Sequence, residues 1–248
     1  MAQPGRWLTQ APRRFLDGVG YASRRVWVLG AAHAAVAPTE HSQKPGPAHP
    51  WGDVPLRRVT SVTAGRGDAF RQRSGTTCGS SALAMFRVLT DPPYAEQLLG
   101  SSGGELAAQW AALERALHER TNRGGRWPWP KSLGTPPWGL RDALDELGRD
   151  RGLRFTIVRV DGRSPQQVSS AVDRAAVALA CGIPVPLYVG DAVLPRHVVL
   201  VTAAGPGWVQ VYDPAIGQAR RVRRQALAQG QARISGWDML WAALLPVG

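Results

Sequence analysis

The 248-residue chain has only two cysteines, Cys78 and Cys181. Two are too few for a disulfide framework, and no CxxC pair is available to hold a metal. The histidines His33, His41, His49, His118 and His197 fall in neither an HExxH nor a zinc-finger spacing, so neither a metal nor any other cofactor is expected. No run approaches the roughly 18 apolar residues that a membrane-spanning helix needs. Lysine is nearly missing too: Lys44 and Lys131 are the only ones, and the net charge of +12 is carried by arginine. Such a surface suits an anionic partner. The densest basic run, Arg220-Arg221-Val222-Arg223-Arg224, has groups for phosphates but no interleaved aromatics, and no helix-turn-helix pattern accompanies it. Both absences argue against nucleic acid as the partner.

What is present suffices for a core: 44% hydrophobic residues over a length that suits one large domain, or one domain with an extension. Residues 1–50 read as a basic N-terminal extension and linker, and residues 51–248 as the main domain. In the extension, Arg24-Arg25 precedes a short apolar run ending at Ala35-Val36-Ala37, a weak resemblance to a twin-arginine export signal that His33 interrupts. A cytoplasmic location is the default expectation. A signal, a propeptide and a helical arm remain open for this segment.

Further along, Pro55–Gly65 reads as a strand, and the run from Cys78 as a buried helix stopped by Asp91-Pro92-Pro93. A second helix places Leu106, Trp110, Leu113 and Leu117 on one face, with His118 as a structural residue near its C-terminal end. Residues 124–139, rich in Gly and Pro, put Trp127, Trp129 and Trp138 on a loop expected to border a cleft. A short helix, the strand LRFTIVRV and a helix opened by Ser164-Pro165 follow. The last third reads as an antiparallel meander: IPVPLYVG, RHVVLVTAAG and GWVQVYDPAIG, then RRVRRQALAQG as a last strand and turn and SGWDMLWAALLPVG as a final packed segment. Helices first and a segregated antiparallel sheet after them make the fold class α+β.

A lone buried cysteine is more often inert than catalytic. Cys78, however, opens its helix, where free backbone N–H groups and the macrodipole stabilise a thiolate, the form that acts as a nucleophile. Gly75 and Gly79 would allow a tight turn before the sulfur and leave room beside it. A nucleophile also needs a base, and the base an orienting partner. His197 opens one strand and Asp213 closes the next, and an antiparallel register across the Ala204–Trp208 turn roughly aligns them. Gln72, six residues before the cysteine, would add an amide to the backbone N–H of Cys78 as donors to an oxyanion. Asp191 and Arg196 flank this end of the sheet, where substrate would pass. Cys181, at an apolar helix end, reads as structural.

QRSGTTCGSSALAMF, with PRHVVLVTA and VYDP, resembles the papain-like cysteine peptidases, especially their bacterial C39-like branch. The resemblance spans about residues 66–217. It implies a papain-like fold, Cys78 as nucleophile, His197 as general base and acid, Asp213 as its orienting partner and Gln72 as oxyanion donor, acting on a peptide or protein substrate. Two departures stand out: Ser80-Ser81 replaces the proline that usually follows Cys-Gly, and the Trp-Pro loop has no counterpart. The leading expectation is a thiol hydrolase, a cysteine peptidase or amidase. The same residues would also serve an acyl transferase, transglutaminase or deamidase of effector or toxin type. The other alternative is a non-catalytic basic binding module.

Overall fold

The computed structural model describes residues 57–123 and 134–247. The expectations placed on residues 1–50, and on Trp127 and Trp129, lie outside the described residues. In chain order the elements are α1 (Val59–Thr63), a 3₁₀ turn (Gly67–Phe70), α2 (Cys78–Thr90), α3 (Pro92–Leu99), α4 (Gly103–Arg123), α5 (Pro137–Leu147), a 3₁₀ turn (Arg149–Arg151), β1 (Arg154–Arg159), α6 (Pro165–Ala180), β2 (Val185–Gly190), β3 (Pro195–Gly205), β4 (Trp208–Asp213), β5 (Gln218–Arg223), α7 (Arg224–Ala228) and β6 (Met239–Val247).

Every residue of α2 except Arg87 is buried. A helix apolar all round belongs inside a domain, and α2 packs against α3, α4, α5 and β3. Its Asp-Pro-Pro stop is at once the start of α3: the Asp91 carboxylate accepts from Tyr94 N at 3.2 Å, and proline sits where the first helical turn needs no N–H.

The sheet is antiparallel throughout, in the order β1-β6-β2-β3-β4-β5. All of β2 and His197–Thr202 of β3 are buried, so both faces are covered. Helices α2 and α5 pack on β3 and β1 with α4 lying against both helices, whereas α6 packs on β2, β3 and β6 with α7 beside it. The end of β2, the start of β3, the end of β4 and the start of β6 share one end of the sheet, as the pairs Gly190↔Pro195, Gly190↔Met239 and Asp213↔Gln218 require. The α+β class and the meander stand as expected, and so does a cysteine-bearing helix packed on an antiparallel sheet.

Four local expectations are corrected. Residues 59–63 form the helix α1 and not a strand: Val59, Val62 and Thr63 are buried together, a spacing of three to four. The inward line of α4 runs through Leu106, Trp110, Glu114, His118 and Asn122, while Leu113 and Leu117 are only half-buried. Trp138 belongs to α5 and packs on the core, not to a loop. Residues 220–230 are not the last strand and turn: β5 runs into the helix α7, and the final packed segment supplies a further strand, β6, inserted between β1 and β2.

Candidate active site

Three chain segments meet at this end of the sheet. The first is the loop before α2. Tyr212 Oη donates to Phe70 O at 2.5 Å and Gln72 N donates to Pro214 O at 2.8 Å, which ties the loop to the end of β4. Within it, Thr77 Oγ1 donates to Ser74 O at 3.0 Å and accepts from Ser74 N at 3.3 Å, closing the turn that delivers Cys78 to the first position of α2. Gly75 has no positive φ, so the turn does not depend on glycine there. Gly79 is different. A Cβ on it would lie 2.5 Å from Thr135 Cβ and 2.7 Å from Thr135 Oγ1.

Beneath the loop lies Glu114, 1% exposed. Its carboxylate accepts from Arg73 N at 3.0 Å and from Ser81 Oγ at 2.7 Å, so it joins the Gln72 loop to the first turns of α2. Ser80 Oγ and Thr135 Oγ1 stand 3.5 Å apart. The two serines that replace the usual proline therefore spend their hydroxyls on neighbours of the cysteine helix.

The second segment is the β3–β4 pair. His197 and Asp213 are 6% and 1% exposed, and His197 Nε2 donates to Asp213 Oδ1 at 2.8 Å. Their alignment is not direct. Leu200 pairs with Tyr212 and Val201 with Val211, yet Ala203 pairs with Gln210, which makes Thr202 an extra residue bulged out of β3. Continued past the bulge, the register sets Asp213 opposite Val199, and His197 lies two residues further on the same face. Without the bulge Asp213 would face Leu200, whose side chain points the other way from that of His197.

Cys78 is the other group that acts on the imidazole, through side-chain hydrogen bonding and charge. Burial, the largest influence on His197, pulls its pKa down. The hydrogen bonds to Asp213 and Cys78, with the charges of both, outweigh it and push the pKa up to about 9. For Asp213, burial pushes the carboxyl up, but hydrogen bonding and charge from His197, with donors from Ser235 and Ala215 N, hold it below the ordinary value. The result is an imidazolium held between the Asp213 carboxylate and Cys78 at neutral pH.

Tyr188 on β2 is the neighbour on the far side. Its phenol is pushed well above its ordinary pKa, first by burial and then by the charge at Cys78, and its Oη donates to Thr135 O at 3.0 Å. Thr135 thus borders the cysteine helix from the C-terminal end of the Trp-Pro stretch. The third segment is the turn at Ser235, whose Oγ donates to Asp213 Oδ2 at 2.6 Å.

Gln72 is brought to the end of β4, beside Asp213. Its Nε2 donates to Ser74 O at 2.6 Å within its own loop, and its Oε1 is buried without a partner. Asp191 and Arg196 pair with each other at 3.0 Å, and Asp191 also accepts from Val193 N and Leu194 N, a turn-holding role. Cys181 caps α6 and is half-buried against the core. The basic run is largely occupied: Arg220 donates to Arg233 O, Arg221 lies over the Trp208 ring and Arg224 pairs with Asp173. Among the described residues, no three His, Cys, Asp or Glu groups gather as ligands and no helix is long and apolar enough to cross a membrane.

No family model and no curated protein matches the sequence. Solved structures resemble it distantly. The peptidase domain of Streptococcus ComA, a bifunctional ABC transporter of a quorum-sensing pathway, is 16% identical over 71% of this chain and 96% of its own, with a TM-score of 0.38. A double-glycine motif protease from an AMS/PCAT transporter, solved with the leader peptide, is 14% identical over 71% of this chain and 89% of its own, at 0.36. The Pseudomonas avirulence protein AvrPphB is 14% identical over 79% and 97%, at 0.35. Overlaps this loose carry no weight on function, which rests on the side-chain geometry.

Glu114, Tyr188 and Ser235 were not legible as site residues. A glutamate inside an amphipathic repeat reads as surface, and a tyrosine in an apolar strand reads as core. Ser235-Gly236 signals only a turn.

Proposed function

We propose that the protein is a thiol hydrolase that cleaves a peptide or amide bond through an acyl-enzyme. The observation that carries this reading is the buried His197, hydrogen-bonded to Asp213 Oδ1 by Nε2 and near enough to Cys78 for the two to interact by hydrogen bonding and charge. Asp213 holds the ring and stabilises the imidazolium, and His197 keeps a proton at hand for the leaving group. Cys78 Sγ attacks the carbonyl carbon, and its electron pair forms the C–S bond. His197 gives its proton to the departing nitrogen as the C–N bond breaks, leaving a thioester. Water then attacks that carbonyl, His197 takes the water's proton, and the acid leaves as the thiolate re-forms. The oxyanion of each tetrahedral stage is assigned to Cys78 N–H at the start of α2 and to the Gln72 amide, which would leave Ser74 O to reach it.

The test is alkylation of Cys78 by iodoacetamide across pH, in a Cys181→Ser background, beside p-nitrophenyl acetate turnover. The expected result is reaction well below pH 8, reduced to free-thiol behaviour by His197→Ala, with a stoichiometric burst of p-nitrophenol followed by steady release. A Cys78 that is inert, or that reacts like a free thiol in both proteins and gives no burst, would overturn the proposal.

A further inference from the structure

Ser235 is the one non-glycine among the described residues with positive φ, at 50°. Gly236 follows at φ 89°. On either side Ile234 and Trp237 exchange backbone hydrogen bonds of 2.8 and 2.9 Å. This is a two-residue hairpin with both central residues left-handed, a turn that selects Asn-Gly, Asp-Gly or Gly-Gly. Serine is a strained choice for its first position, because a Cβ there crowds the backbone and, glycine apart, mainly Asn and Asp enter this region readily.

The turn alone gives no reason for a hydroxyl, but Asp213 does. His197 Nε2 at 2.8 Å and Ala215 N at 3.1 Å both donate to Oδ1. Ser235 Oγ, at 2.6 Å, is the donor that reaches Oδ2. With donors on both oxygens, the carboxylate cannot swing about its Cβ–Cγ bond without breaking hydrogen bonds at each end. With Oδ1 alone engaged, it can tilt and carry the imidazole with it. Asp213 is 1% exposed, so solvent has little access to replace the lost donor.

We propose that Ser235 is a positioning residue of this site: through Oδ2 it sets the rotation of the Asp213 carboxylate, and through Asp213 the aim of His197 at Cys78. The strained backbone is kept because it places that hydroxyl, a pattern common at functional sites. The proposal rests on the Cys78–His197–Asp213 reading above.

Four proteins test it, all in the Cys181→Ser background: the parent, Ser235→Gly, Ser235→Ala and His197→Ala. Each is alkylated with iodoacetamide over about pH 5 to 10 and melted thermally. Glycine suits the turn at least as well as serine and offsets part of the loss of the buried hydrogen bond, so Ser235→Gly melts above Ser235→Ala, which separates the turn from the chemistry. Both Ser235 variants are expected to alkylate about tenfold more slowly at pH 6.5, the lower end of what a hydrogen bond to a charged group is worth. Their low-pH limb moves upward, because an imidazolium aimed less well at Cys78 gives less support to the thiolate that reacts. A Ser235→Gly protein with the parent's rate and pH profile overturns the proposal and leaves Ser235 a turn residue only. If His197→Ala also alkylates like the parent, the triad reading fails and the role of Ser235 with it. If His197→Ala is slow while Ser235→Gly is not, the positioning role alone falls.

Discussion

Replacing Asp213 by asparagine keeps the shape of the site and removes its charge. Asn Oδ1 can still accept from Ala215 N, and its Nδ2 can face Ser235 Oγ, which turns to accept. What is lost is the anion beside an almost fully buried His197. His197 carries a pKa of about 9 in the fold, against a reference of 6.5. A raised folded pKa contributes stability that is fully present below the unfolded value and disappears as pH climbs through the folded one. The window is therefore about pH 6.5 to 9, and at ~1.4 kcal/mol per pH unit the full contribution is ~3 kcal/mol. Asp213 supplies the strongest of the raising influences, its hydrogen bond, together with its charge. Asp213→Asn should thus cost ~2 kcal/mol or more at pH 6.5, where an imidazolium would be buried with less support, and under ~1 kcal/mol near pH 9.5, where the ring is neutral in both proteins. Urea unfolding of the two proteins at matched pH values measures this, and groups that titrate alike in both cancel in the difference. Two stability curves that stay parallel from pH 6 to 9.5 would refute the reasoning.

Gly79→Ala drives a Cβ into Thr135 and should cost ~1–3 kcal/mol and lower Cys78 alkylation severalfold; Thr135→Gly in the same chain should restore both, read by thermal melts and iodoacetamide kinetics. Ser81→Ala takes a donor from the buried Glu114 carboxylate and should cost ~1–3 kcal/mol in urea unfolding, clearly more than Ser80→Ala, whose partner stands at 3.5 Å. Tyr188→Phe releases Thr135 O and should cost ~1 kcal/mol, with faster amide exchange at Thr135 and Trp138 than in the parent.

Much of the fold was legible because its signals are local. Ser164-Pro165 starts α6, an all-apolar run makes α2, and turn residues separate β2, β3 and β4. The errors came where local pattern and tertiary environment disagree. Val59–Thr63 has β-branched residues but buries them at helical spacing under β5. In α4 the leucine stripe lost to a line through Glu114, because Arg73 N and Ser81 Oγ satisfy a carboxylate that would otherwise stay in water. The position of β6 between β1 and β2 depends on which edges are open after the meander forms, and no window of sequence contains that.

For the site the division is sharper. The sequence by itself determined the participants: a cysteine at a helix start, a histidine opening one strand and an aspartate closing the next. Each follows from residue type and element boundary, which short-range sterics and hydrogen bonding dictate. Only the tertiary structure decided that they meet. The one-residue bulge at Thr202 puts His197 and Asp213 on the same face of the sheet, and the hairpin at Ser235 returns from twenty-two residues away to hold the second carboxylate oxygen. Side-chain direction alternates at every residue of a strand, so a single inserted residue reverses it. That count is settled by how the strands pair.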